Sequence, residues 1–228
     1  VTDRDADRDP GPDEVARLYR ARFSADERRA KETVWGELAR SFFQTYVDPG
    51  ATLLDIGPGS CEFINAIQAK KKIAVDINPD TAKYLVDGVF LETSSTDLSA
   101  VENGSVDVVF TSNFFEHLPD TAALLATLAE CRRVLVPGGR LIVVMPNIRY
   151  VGGRYWDYLD HHLPLTHLSL VEALEVTGFT TDRVVPRFLP YTVKGSRLPV
   201  SAFAVRTYLR VRPLWKLLGR QMLVIAHA

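Results

Sequence analysis

The chain has 228 residues, 27 of them basic and 28 acidic, and 46% are hydrophobic. That length suits one domain with room for an appendage. The apolar content excludes wholesale disorder, and no apolar run reaches the ~18 residues a membrane span needs. Cys61 and Cys131 form neither a CxxC pair nor a disulfide framework, and no apolar signal-peptide region opens the chain, so a cytoplasmic location is expected. The net charge of −1 hides an asymmetry: nine basic residues and no acid follow Asp182, whereas the first 182 residues carry 18 basic and 28 acidic. A basic end on an acidic body points to an anionic partner; a solvated basic face is the plainer alternative.

Residues 1–12 are rich in Asp, Arg, Pro and Gly and read as a disordered tail. Residues 13–48 read as a helical cap. Val15, Leu18, Tyr19 and Phe23 recur at helical spacing, and Ser24 with Glu27 forms a capping-box pattern ahead of Val34, Leu38, Phe42 and Tyr46. Asp48-Pro49-Gly50 ends it. From residue 49 onward strand and helix patterns alternate. Strands are expected at 52–56, 72–76, 89–91, 106–111, 140–145, 181–185 and 223–226. Helices are expected at 60–69, at 79–86 behind Asn78-Pro79, after Asp120, and from a Ser169/Glu172 capping box to Gly178. Val136-Pro137-Gly138-Gly139 reads as a turn. This alternation predicts an α/β fold, a Rossmann-like, seven-stranded, mostly parallel sheet with helices on both faces. Two long inserts, 147–167 and 186–220, interrupt it and are expected to serve the acceptor site.

The stretch Leu53-Leu54-Asp55-Ile56-Gly57-Pro58-Gly59 places a carboxylate and a glycine turn at the end of a buried strand. Such a turn makes a ligand crevice at the strand's carboxyl end, and its glycines admit a ligand where a Cβ would collide. A dinucleotide site wants a third glycine where Glu62 stands, and that charge would face a pyrophosphate. S-adenosylmethionine (SAM) suits the turn better, because it carries a sulfonium, an ammonium and only one carboxylate. Asp76, 21 positions after Asp55, ends the second strand, where an acid can accept both hydroxyls of a ribose. It could equally cap the following turn. Ile77 would lie beside the adenine.

Asp55-x-Gly57-x-Gly59 resembles the first motif of class I SAM-dependent methyltransferases. The string Ser112-Asn113-Phe114-Phe115-Glu116-His117-Leu118-Pro119-Asp120 resembles the fourth motif of their small-molecule branch, and Leu135 to Leu141 resembles their L-x-P-G-G-x-L turn. The resemblance covers about residues 50–185. It implies SAM as cofactor, with Asp55, Gly57, Pro58 and Gly59 at its methionine part, Asp76 and Ile77 at its nucleoside, and Ser112 and Asn113 on the sulfonium side. An acid usually meets the adenine amino group after strand three; here the register offers Ser95, Thr96 and Asp97. His117 falls where the donor methyl would point and is the expected base, with Glu116 orienting or replacing it. A helix-start histidine bonded to backbone is the plainer reading.

Within the first insert, Tyr150, Tyr155, Tyr158, His161, His162 and His167 are expected to line an acceptor lid, with a packed loop as the alternative. The histidine and aspartate spacing matches no zinc pattern, and no metal is expected. Residues 199–218 mix apolar side chains with arginines, and Pro213 breaks any helix there. That segment could lie on an anionic membrane or cover an anionic acceptor. Nucleic acid is disfavoured by the acidic body. The expected activity is methyl transfer to O or N of a small molecule such as a sugar or secondary metabolite. A phenol or quinone-precursor O-methyltransferase touching membrane, and a non-catalytic SAM-binding subunit, are the alternatives.

Overall fold

The computed structural model describes residues 25–191 and 201–228. The expected tail, the helix from Asp13, and Ser24, Lys194 and Arg197 lie outside them. Helix α1 (Ala25–Ser41) leads to a 3-10 turn, Phe43–Thr45, and then to β1 (Thr52–Ile56). There follow α2 (Glu62–Ala66), β2 (Lys71–Asp76), β3 (Val89–Glu92), β4 (Val106–Ser112), α3 (Thr121–Val134) and β5 (Leu135–Pro146). The insert holds α4 (Ile148–Val151), and α5 (His167–Val176) leads to β6 (Thr180–Leu189). The C-terminal part comprises α6 (Ala202–Arg210), α7 (Arg212–Leu218) and β7 (Gln221–His227).

The strands form one seven-stranded sheet in the order β3-β2-β1-β4-β5-β7-β6. β7 runs antiparallel to both neighbours and the other pairings are parallel, so the expected fold class holds. Chain order reverses between β1 and β4, and such a switch point opens a crevice at the carboxyl ends of those two strands. Alternate residues face opposite sides. On one face Leu54, Ile56, Val109 and Val143 pack with Leu124 and Leu128 of α3 and Leu170 and Leu174 of α5. On the other, Leu53, Phe110 and Ile142 pack with Leu38 of α1, Phe63 of α2 and Leu209 and Trp215 of the last two helices. Phe63 stacks on Phe110 with ring centres 3.6 Å apart.

Several expected boundaries move, each for a local reason. The helix expected at 60–69 is cut to Glu62–Ala66, because Gln44 bonds both the N–H and the carbonyl of Gln68 as a neighbouring strand would. The helix expected at 79–86 is only a 3-10 turn, Pro79–Lys83. Beyond it the Asn65 side chain takes the Val86 N–H and donates to the Tyr84 carbonyl. Asn78 does cap the turn, accepting from the Asp80 N–H, and Asp120 caps α3 as expected. The turn expected at 136–139 is a bulge inside β5, since Val106 pairs with Leu135 but Val108 with Arg140. α5 starts two residues before Ser169: Thr166 is its cap, and Ser169 closes the capping box from the third helical position. Pro213 does separate two helices, falling in the first turn of the second.

Candidate functional site

The glycine turn at the end of β1 is shaped by backbone conformation. Gly57 and Gly59 have φ of 66° and 58°, and Cys61 follows at 61°. This left-handed region disfavours residues with a Cβ. A Cβ on Gly57 would also come within 2.5 Å of the Phe114 ring. The Gly57 N–H donates to the Val75 carbonyl, which ties the turn to the end of β2. Thr111 of β4 donates to the Ile56 carbonyl from inside the core.

Three carboxylates surround this turn. Asp55 is buried, and its acidity is weakened well beyond the ordinary carboxyl range by burial first, then by the charges of Asp76 and Glu62. Asp76 is also raised by burial, opposed chiefly by its hydrogen bond from the Asn78 N–H at 2.9 Å. The Cys61 thiol is pushed up to about 12 by burial and then by Asp55, Glu62 and Asp76. Lys31 of α1 approaches Glu62 at 3.4 Å. A pocket this negative suits a ligand carrying a sulfonium and an ammonium, and the crowding at Gly57 leaves no room for a larger residue. The residues present at the turn therefore fit SAM.

The three residues expected on the adenine side, Ser95, Thr96 and Asp97, point to different surroundings. The Ser95 hydroxyl is buried and shares a 2.8 Å hydrogen bond with Thr127 of α3. Thr96 is exposed, 2.8 Å from the Ser94 hydroxyl. Asp97 is exposed; hydrogen bonds from Ser99 hold its carboxyl below the ordinary range. Of these, Ser95 is committed to the interior.

At the end of β4, Ser112 and the following Asn113 are half-buried, and Asn113 takes φ of 49° with its N–H on the Val144 carbonyl. The 3-10 turn Phe115–His117 follows. The His117 Nδ1 lies 2.7 Å from the Asp160 carbonyl and 3.3 Å from its carboxylate. A carbonyl only accepts, so Nδ1 carries the proton and Nε2 keeps its lone pair in the neutral ring. Glu116 is buried, and its backbone carbonyl accepts from the N–H groups of His162 and Leu163. That pairing folds the insert back over the β4 turn.

The insert divides the six expected acceptor residues. His161 is buried, with its ring 5.1 Å from that of His117 and stacked on Tyr158 at 5.0 Å. Tyr155 is fully buried and donates to the Leu163 carbonyl at 2.7 Å, a strut within the insert. His162 is exposed. Tyr150 and His167 form a separate stack beneath the Arg187 guanidinium, where His167 is 3.0 Å from the buried Asn147 amide. Glu116, His117 and His161 each offer a ligand atom within 4.8 Å of the others. No local pattern in the sequence ties Asp160 to His117 or Phe114 to the glycine turn. Asp160 is 43 positions from His117, and only folding brings it there.

Residues 54–143 match the family described as "Methyltransferase domain". The chain is 27% identical to a malonyl-[acyl-carrier protein] O-methyltransferase of Methylococcus capsulatus over 72% of this chain and 66% of that one. It is 31% identical to a ubiquinone biosynthesis O-methyltransferase of Xanthomonas campestris over 43% of this chain and 44% of that one. It thus spans less than two thirds of either relative. The fold resembles that of a SAM-dependent methyltransferase from Archaeoglobus fulgidus, with a TM-score of 0.67 and 22% identity over 94% of this chain and 99% of that one. The family match over residues 54–143, the two relatives, the sheet order and an acidic glycine turn point the same way: this chain carries a stretch that matches a methyltransferase domain, in a fold like that of SAM-dependent methyltransferases.

Proposed function

We propose that the chain transfers a methyl group from SAM to an oxygen or nitrogen of a small-molecule acceptor, with His117 as general base. The observation that carries this reading is the fixing of His117 by the Asp160 carbonyl at 2.7 Å, one turn beyond the Phe114 ring that crowds Gly57. Bound SAM supplies a methyl carbon on a sulfonium leaving group. Asp76 accepts its ribose hydroxyls, and Asp55 with the glycine turn faces its cationic methionine part. The His117 Nε2 takes the acceptor's proton. The Asp160 carboxylate, 3.3 Å from Nδ1, offsets the charge that then appears on the ring. Glu116 orients the turn through its backbone, and His161 with Tyr158 forms the acceptor-side wall.

Alignment of nucleophile, methyl and sulfur does most of the work in such a displacement. A positioned base adds about 10²–10⁴-fold. The two relatives are named as O-methyltransferases, which favours oxygen as the accepting atom. The polar-tipped rings of Tyr158 and His161 favour a sugar or phenolic acceptor. Isotope-labelled SAM, offered with a panel of sugars, phenols and acyl-carrier thioesters, identifies the product by mass. On the acceptor so found, His117→Ala is expected to lower turnover by about 10²–10⁴-fold and leave SAM affinity unchanged. Unaltered turnover would remove His117 as the base.

A further inference from the structure

We propose that the outer faces of α6 and α7 dock the protein peripherally on an anionic lipid surface. The described residues after Tyr191, 201–228, contain five cations and no acid. On α6 the exposed residues Phe203, Arg206, Thr207 and Arg210 fall at helical spacing on one face, while Leu209 is buried. On α7 the exposed face carries Arg212, Lys216 and Leu217, while Trp215 is buried. The inner faces are well anchored. The Tyr208 hydroxyl donates to the Phe188 carbonyl, and the Trp215 indole N–H donates to the Tyr208 carbonyl.

What distinguishes these faces is the mixture. Phe203 is 75% exposed, Leu217 66% and Leu218 48%. With Val211 they make four of the twelve large apolar side chains exposed among the described residues, gathered within sixteen positions. A surface that only attracts acidic groups or binds a soluble anion does not need them. Cations beside exposed aromatic and aliphatic side chains are the pattern of a helix resting in a lipid interface, where the apolar groups enter the acyl boundary and the cations meet headgroup phosphates. Arg206 is partly engaged, 3.3 Å from Glu37, so Arg210, Arg212 and Lys216 carry the charge argument. No described helix is long and apolar enough to cross a membrane, so the contact is superficial. A second copy of the chain would bring cations against cations.

The position of these helices gives the contact a use. Gln221 at the start of β7 pairs with Pro146 and Leu189, the last residues of β5 and β6. The segment joining β6 to β7 therefore leaves and rejoins the sheet at its carboxyl edge, the edge that carries the glycine turn and His117. A lipid surface on the outer faces of α6 and α7 is thus joined, through this connection, to the edge at which an acceptor would come.

Cosedimentation with vesicles of phosphatidylcholine alone, and of phosphatidylcholine mixed with phosphatidylglycerol, tests this. The intact chain is expected to pellet with the mixed vesicles, to release in high salt, and to stay in solution with the neutral ones. Arg210→Glu/Arg212→Glu/Lys216→Glu should lower binding at least about tenfold, and Phe203→Ser/Leu217→Ser should lower it as well, while both variants keep the wild-type heat of SAM binding. Absence of binding, equal binding to neutral vesicles, variants that bind like the wild type, or retention on heparin without binding to vesicles would each overturn it. SAM calorimetry is independent of this outcome, so failure here leaves the methyl-transfer reading to its own test.

Discussion

Asp55 illustrates how a single residue can be costly to the fold and valuable to the ligand. Its carboxyl is buried at 2% exposure, with the charges of Asp76 and Glu62 nearby, and its pKa lies well above the ordinary 3.8. The folded chain therefore holds this proton through a pH range in which the unfolded chain has released it. Stability of the ligand-free protein must then fall as pH rises from about 3.8 upward through the shifted value; Asp76, raised in the same direction, adds to the slope. Asp55→Asn removes its share, so the variant should melt higher than wild type at neutral pH, show a shallower pH dependence, and bind SAM more weakly. Thermal melts across pH without ligand check the first two points, and an unchanged slope would contradict the assignment of burial and like charge at this position. Asp55, Gly57 and Asp76 are legible in the sequence because they sit at fixed offsets within one strand-turn unit. Asp160 is not, because its hydrogen bond to His117 depends on how the insert folds back onto the Glu116 carbonyl.

Among the elements, the parallel strands were the easiest to read: their apolar runs are continuous, and both faces of the sheet are covered. The helices that failed to reach their expected lengths failed to side-chain competition from elsewhere in the chain. Gln44 captures Gln68, and Asn65 captures Tyr84 and Val86, contacts that no local periodicity encodes. The same kind of distant contact holds the segment after β3. Arg133 of α3 donates to the carbonyls of Leu98 and Val101 and to the Glu130 carboxylate, which in turn accepts the Leu98 N–H. Arg133→Ala is expected to destabilise the chain by about 1–3 kcal/mol through the carbonyls and carboxylate it leaves unpaired. Chemical denaturation measures this, and a loss below about 0.5 kcal/mol would show that the segment is held by Leu98 and Val101 packing alone. Ser95 was assigned to the adenine side by register; in the fold its hydroxyl turns inward to Thr127, which register could not reveal.

At the scale of the whole molecule, the chain divides its charge as it divides its labour. The acidic turn between β1 and β2 suits a cationic donor, and the basic helices between β6 and β7, with apolar side chains exposed, belong to a connection that leaves and rejoins the sheet at the same edge. Sequence asymmetry announced both halves, but only the sheet order β3-β2-β1-β4-β5-β7-β6 puts them on one side. Aromatic packing joins them: Phe42, between α1 and the 3-10 turn, has its ring centre 4.9 Å from that of Phe188 and 6.0 Å from that of Trp215, so the last helices share one core with α1, β1 and α2. The account stands or falls on what the glycine turn holds. Isothermal calorimetry of the folded chain with SAM, with S-adenosylhomocysteine and with NAD reads this directly. Heat from the two adenosyl ligands at a single site, weakened by about 1–3 kcal/mol in Asp76→Ala as a ribose acceptor is lost, and no heat from NAD, is the predicted result; a folded chain that takes up neither adenosyl ligand would contradict it.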